Sequence, residues 1–242
     1  VKPYEFARKL IRAEDCADEE AGHEAGAWLT REQLARTYDT KGDLLRSLNL
    51  PRRFKVLELG VRAGYSAEVF LACGARSYFG IDAANGTWWG PGPDAAELIG
   101  QAMIDLGERY PKRQISYMLA DSHAVGTLNV ARELGPYDLI HFDGDQFYAG
   151  ASQDLNDYLP LLTPNGVAIV DGPPPFSGFD RAARDGARAN GFVVTEGYTP
   201  FTVEAHNLTG NALRSYPHDL VLRRATEPEQ VIVPGPALGI AA

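Results

Sequence analysis

An α/β architecture, a mainly parallel sheet covered by helices on both faces, follows from three features of the chain. Short apolar runs of strand character alternate with segments of helical period, the pattern of parallel strands joined by helical crossovers. A glycine loop, Gly60 to Gly64, links the first of these strands to a helix. Acids stand at the ends of four successive strand patterns: Glu58, Asp82, Asp121 and Asp143. Open α/β sheets bind ligands beyond the carboxyl ends of their strands, so these acids share the binding edge.

The elements follow in chain order. Residues 1–52 read as an N-terminal helical extension. Thr30-Arg31-Glu32-Gln33 has capping-box spacing, Leu34, Ala35 and Tyr38 share one face behind it, and Leu44, Leu45 and Leu48 carry the helical pattern to Pro51. This piece either walls a substrate pocket at the sheet edge or packs as an appendage. Residues 54–57 form the first strand and 65–73 the helix after the glycine loop. Residues 78–82 are a second strand. Asp94 can cap a helix carrying Ala95, Leu98, Ala102 and Leu106. Third and fourth strands cover 116–122 and 137–145. Leu155, Tyr158, Leu159 and Leu162 make an amphipathic helical face, repeated by Phe179, Ala182, Ala183 and Gly186. The last strands cover 191–195 and 219–222. Residues 53–224 thus form the α/β domain, and 225–242, rich in Pro and without periodicity, an irregular tail or oligomer contact.

The composition narrows the partners. A chain of 242 residues with 45% apolar content can bury one substantial core. A net charge of −9 argues against a nucleic-acid partner, since Arg52-Arg53 and Arg223-Arg224 are too short to make a basic stripe. Cys16 and Cys73 are too few for a disulfide scaffold; Cys73 falls on an apolar helix face and reads as a buried thiol. Neither a signal core nor a membrane span stands out, and Val1 in place of Met reads as a trimmed start, so a cytoplasmic protein is expected.

The loop chemistry selects a cofactor. A dinucleotide pyrophosphate calls for Gly-x-Gly-x-x-Gly, whereas this loop is Gly-x-x-x-Gly preceded by Glu58. A carboxylate there repels phosphate and suits a ligand that carries an ammonium and a sulfonium, S-adenosylmethionine. Gly60 and Gly64 let the backbone approach its methionine part, and the N–H groups of Tyr65 and Ser66 can hold its carboxylate. Asp82 is placed for the ribose hydroxyls and Asp121 for the adenine amino group, with Ser122 and His123 beside it. Trp88 and Trp89 are placed to stack on the adenine or the acceptor.

The segment Ile140-His141-Phe142-Asp143-Gly144-Asp145-Gln146, then Asp154-Leu155, then Leu159-Pro160-Leu161-Leu162-Thr163-Pro164-Asn165-Gly166 and Asp171, resembles the Asp-Gly-Asp-His…Asp-Leu…Leu-Pro-Leu-Leu-x-Pro-Gly-Gly…Asp-Asp pattern of small-molecule O-methyltransferases. The chain is identified on these residues as similar to the class I S-adenosylmethionine-dependent methyltransferases over about 53–223. That resemblance implies a Rossmann-like, seven-stranded, mostly parallel sheet with an antiparallel C-terminal strand. It also implies methyl transfer to a hydroxyl of a small molecule, a sugar or another natural product.

Asp143 and Asp171 would end neighbouring strands ~4.8 Å apart, close enough to share one Mg²⁺ through oxygen ligands. Gly172 and Gln146 depart from the metal-assisted pattern, standing where a further ligand and a His base are common. Asp143 is the first candidate for the catalytic group and also touches the cofactor; Asp171 and His141 follow. His123 and Asp145 are further base candidates. An amine acceptor without metal, or a scaffold that keeps the fold without catalysis, remain the alternatives. Residues 198–218 and 173–176 are loops placed to shape the acceptor pocket.

Overall fold

The computed structural model describes residues 4–12, 30–85, 95–171, 178–196, 203–206, 212–215 and 219–225. Its elements are α1 (Arg31–Ser47), β1 (Lys55–Leu59), α2 (Tyr65–Ala72), β2 (Ser77–Asp82), α3 (Ala95–Arg109), β3 (Gln114–Leu119), α4 (Val125–Leu134), β4 (Tyr137–Phe142), α5 (Tyr148–Tyr158), β5 (Leu162–Val170), α6 (Phe179–Ala189), β6 (Phe192–Glu196), β7 (Val203–His206), β8 (Ala212–Ser215) and β9 (Leu220–Arg224). Seven strands form one sheet in the order β3-β2-β1-β4-β5-β9-β6. The first five pair in parallel, and β9 runs antiparallel to both β5 and β6. The strand order reverses between β1 and β4, the place where an open sheet receives its ligand.

Two cores result from the alternation of side chains along each strand. Val56, Tyr78, Leu139, Val167, Ile169 and Val221 pack under α1, α2 and α3 with Phe70, Ile99 and Leu106. Leu57, Leu59, Ile140, Phe142, Ala168 and Val170 pack under α4, α5 and α6 with Leu128, Leu155 and Phe179. The α6 helix meets α5 through small residues, and a Cβ at Gly186 would lie 2.9 Å from that of Leu155. Such a substitution would push the two helices apart.

Helix α1 begins with the capping box the sequence encodes: Thr30 Oγ1 accepts from Gln33 N, and the Gln33 side chain accepts from Thr30 N. The helix buries Ala35 and Leu45 on the first core. The segment before it is tied down by Arg8, whose guanidinium makes two hydrogen bonds to Glu32, and by Arg12 N, which donates to Tyr65 Oη over 2.9 Å. Cys73, expected to be buried, is half-buried at the C-cap of α2.

Two elements differ from the sequence reading. Helix α5 stops at Tyr158 and passes through a 3-10 turn, Leu159–Leu161, so Leu162 begins β5 instead of extending the helical face. Pro160 in that turn has no N–H to continue the helix ladder. Within 198–218, read as a loop, β7 and β8 pair antiparallel as a separate two-stranded sheet. The rest of 198–218 lies outside the described residues, as do Cys16, Trp88, Trp89, Asp94 and residues 172–177 and 226–242.

Candidate active site

At the switch point the loops after β1 and β4 touch. Gly60 has φ 85° and Gly64 φ 71°, conformations that L side chains rarely adopt. A Cβ on Gly60 would lie 2.1 Å from the Asp143 carbonyl oxygen, so only glycine permits this approach. Asp82 holds the loop in shape. Its Oδ2 accepts from the N–H groups of Val61 and Arg62 at 2.8 and 3.0 Å, and its Oδ1 accepts from Ala84 N at 2.7 Å. Those bonds support the positive φ of Arg62 and leave about one of the carboxylate's four lone-pair sites for a ribose hydroxyl. Gly64 is the N-cap of α2 and brings no side-chain cap to its first turn, so the helix end is open to an anion at that point. The Tyr65 and Ser66 side chains are themselves buried, with the Tyr65 ring edge-on to Phe6 and Tyr38.

The remaining acids divide into two groups. Glu58, His141, Asp143, Asp171 and Asp219 occupy alternate positions that face the α1–α3 side of the sheet, because Val56, Leu139, Ile169 and Val221 do. Into this group α1 inserts Lys41, only 1% exposed. Its Nζ donates to Asp171 Oδ1, lies 2.9 Å from His141 Nε2 and 3.6 Å from Asp219 Oδ1. On the far side of the ring His141 Nδ1 meets Glu58 Oε1 at 2.9 Å, and Tyr78 Oη donates to Glu58 Oε2. Gly80 leaves room for that hydroxyl, since a Cβ there would be 2.7 Å from it. Glu58 is therefore engaged on both oxygens inside the sheet, 1% exposed, and supports His141.

Electrostatics separate the two central carboxyls. Burial, then the charge of Asp171, pushes Asp143 up to about 8. Burial would raise Asp171 too, but the Lys41 ammonium and His141 outweigh it and hold that carboxyl well below the usual range. Burial alone would strip Lys41 of its proton; Asp171, Asp219 and Asp143 reverse this and raise it. Burial and the Lys41 charge lower His141, while hydrogen bonding to Asp171 and Glu58 acts the other way. Asp171 and Asp219 hold Lys41 as the ammonium, so the proton that Nζ and Nε2 face stays on Nζ. Two N–H groups cannot point at each other across 2.9 Å, so Lys41 donates, His141 Nε2 accepts, and Nδ1–H is left for Glu58. Asp143 Oδ1 accepts from Gln146 Nε2 at 3.1 Å. Pairs of carboxyls driven apart in this way mark one as proton carrier and the other as fixed charge.

The second group lies after β3. The Asp121 side chain is 67% exposed, and its Oδ1 accepts from His123 N at 2.9 Å. His123 Nε2 lies 3.3 Å from Asp154 Oδ1 and 3.2 Å from Gly150 O. Tyr158 Oη donates to Ser122 O over 2.7 Å. Asp154, 2% exposed, is raised to about 6 by burial, against the pull of Ser122 and His123. Ser122 and His123 thus gather on α5, while Asp121 faces solvent. Asp145 accepts from Phe147 N at 2.8 Å and shapes the start of α5.

The expected Mg²⁺ between Asp143 and Asp171 does not fit these residues. An ammonium already occupies Asp171, and among the described residues no group of three or more His, Cys, Asp and Glu side chains could hold a metal ion. Sequence reasoning missed Lys41, Tyr78, Asp219 and the pairing of Asp154. Lys41 had a signal: with Leu34, Tyr38, Leu45 and Leu48 it falls at i, i+4, i+7, i+11 and i+14, a lysine on the apolar stripe of α1.

The comparisons with known proteins bear on this edge directly. Residues 57–172 match the family model of a methyltransferase domain. The matched segment holds Glu58, the glycine loop, Asp82, Asp121, Asp143 and Asp171, and it supports methyl transfer from S-adenosylmethionine as the activity. The methyltransferase-type fold recurs at low identity in solved structures. Magnesium protoporphyrin IX methyltransferase from Synechocystis PCC 6803, with bound S-adenosylmethionine, has 17% identity over 81% of this chain and 83% of that one, with a TM-score of 0.51. A Streptococcus mutans protein in complex with S-adenosylhomocysteine has 14% identity over 78% and 98%, TM-score 0.52. Ribosomal protein L11 methylase from Lactobacillus delbrueckii subsp. bulgaricus has 13% identity over 79% and 80%, TM-score 0.50. One of these names a tetrapyrrole and another a ribosomal protein, so the likeness speaks to fold and leaves the acceptor open. No curated protein matches the chain. No helix among the described residues is long and apolar enough to cross a membrane.

Proposed function

We propose that the chain transfers the methyl group of S-adenosylmethionine to a hydroxyl of a small molecule. The observation that carries the reading is the contact of Gly60 with Asp143 at the sheet's switch point, which sets the cofactor loop against an acid raised to about 8. The acceptor oxygen attacks the methyl carbon in line with the C–S bond. That bond breaks, its electrons stay on sulfur, and S-adenosylhomocysteine leaves as a neutral thioether. Asp143, as carboxylate, takes the hydroxyl proton. The sulfonium charge of the bound cofactor favours that ionised form. Asp171 and His141 stay fixed by Lys41 and Glu58 and keep the floor of the site in place.

In this reading Gly60, Gly64, Tyr65 and Ser66 receive the methionine part at the start of α2. Asp82 holds the loop and meets the ribose, and Asp121, Ser122 and His123 border the adenine. Residues 53–224 form the catalytic domain, 1–52 its helical cover and 225–242 its tail. The net charge of −9 supports a small acceptor over a nucleic acid. An amine acceptor is the second reading, favoured by the lysine in the metal position, because an amine needs only weak help to lose its proton.

Calorimetric titration with S-adenosylhomocysteine tests the cofactor, followed by methyl transfer from labelled S-adenosylmethionine to matched hydroxylated and amino acceptors. Binding with transfer to hydroxyls supports the reading. No binding at millimolar ligand removes the cofactor, and transfer to amines alone moves the assignment to the second reading.

A further inference from the structure

We propose that Lys41 is the resident cation of this site: its ammonium, delivered by α1 onto Asp171 and Asp219, takes the place of a divalent metal at the strand-end carboxylates. The inference rests on the methyltransferase reading for its meaning, and on geometry for its support. An ammonium has three donors, and three acceptors surround this one: Asp171, His141 Nε2 at 2.9 Å and Asp219 at 3.6 Å. Asp171 and His141 Nε2 lie within hydrogen-bond distance, and Asp219 adds an ion pair. A buried charge persists only when paired and hydrogen-bonded, which these partners provide. Mg²⁺ would need about six oxygen ligands in near-octahedral array, and here a nitrogen ring occupies one side and Nζ the centre.

Placement of the lysine is rigid. Helix α1 is fixed by its capping box, by Leu45 and Ala35 in the core, and by Gly42, where a Cβ would lie 2.2 Å from the Tyr4 ring. Lys41 therefore reaches the carboxyl edge from a backbone that cannot retreat without unpacking. The N-terminal helix becomes a working part of the site, and Lys41 a positioning residue that acts through Asp171 and His141.

The test uses the full chain with S-adenosylhomocysteine and Mn²⁺ as probe, followed by calorimetry and by the electron paramagnetic resonance of free Mn²⁺. Wild type is expected to show no Mn²⁺ site that Asp171→Asn abolishes, and its methyl transfer is expected to change by less than about twofold in EDTA. Removing the ammonium in Lys41→Ala should open the carboxylates, with Mn²⁺ bound at least about tenfold tighter than by wild type and lost again in the Lys41→Ala, Asp171→Asn double variant. If the alanine variant does not fold, Lys41→Met, which keeps the packing volume, takes its place. A wild-type Mn²⁺ site that depends on Asp171 overturns the proposal, and so does a folded Lys41 variant with no gain in Mn²⁺ binding. Failure of S-adenosylhomocysteine to bind would instead overturn the methyltransferase reading, while the Mn²⁺ comparison would still score the lysine.

Discussion

Lys41 Nζ stands 2.9 Å from His141 Nε2, a contact that joins the N-terminal helix to the strand beside the switch point. It is one link in a buried polar run: Tyr78 to Glu58, Glu58 to His141, His141 to Lys41, Lys41 to Asp171. The run crosses β2, β1, β4, α1 and the end of β5, so five elements depend on one satisfied network. In a low-dielectric interior each member strengthens the next, and each becomes costly when its neighbour is lost. The active-site floor is thus built from the same groups that lock the N-terminal helix onto the sheet.

Tyr78→Phe should destabilise the protein by roughly 1–3 kcal/mol, because Glu58 Oε2 loses its donor in a place water does not reach. Urea unfolding compared with wild type measures it. A change below about 0.5 kcal/mol would mean that Glu58 finds another donor.

Gly60→Ala should abolish close contact between the two loops. The new Cβ would fall 2.1 Å from the Asp143 carbonyl oxygen at a φ of 85°. A shift of about 1 Å in a positioned site can cost on the order of 100-fold in turnover. Weakening of S-adenosylhomocysteine binding by at least about tenfold is expected, with the circular dichroism spectrum retained. Unchanged affinity would take this loop out of the cofactor site.

Asp143→Asn should lower methyl transfer by about 10²–10⁴-fold, the usual contribution of a positioned base. Binding of S-adenosylhomocysteine should largely survive, since the asparagine keeps the loop's shape and its backbone contact with Gly60. Turnover close to wild type would mean that the acceptor proton leaves by another route.

Much of this was legible in the sequence, for local reasons. Strand-terminal acids, the glycine loop and the Thr30–Gln33 capping box are each encoded within a few residues, and the fold places them as their spacing implies. The partners of those residues were not legible. Lys41 and His141 are 100 residues apart, and Glu58 and His141 are 83 apart. Glu58 reads as a cofactor acid because strand position alone cannot show that Tyr78 and His141 already use both its oxygens. Asp82 reads as a ribose ligand, and strand position alone cannot show that the loop N–H groups of Val61 and Arg62 also bind it. The metal expectation failed for the same reason, since the cation that answers Asp171 comes from a helix outside the matching motif.

Asp154 gives the protein a pH signature that can be isolated. It is 2% exposed, and burial raises its carboxyl to about 6, against about 3.9 in an unfolded chain. Below about pH 4 both states hold the proton, and the raised value contributes its full stability there. As pH rises from about 4 to 6, the unfolded chain loses this proton first, so the folded state loses that stability until it too ionises near 6. Asp154→Asn removes the titration and keeps a side chain of similar shape beside His123. Melting temperature measured across about pH 4 to 8 should therefore show the variant gaining on wild type up to about pH 6 and then holding a constant difference. A difference that stays flat across the whole range would show that Asp154 titrates like an exposed carboxyl, and that His123 or solvent reaches it in the folded protein.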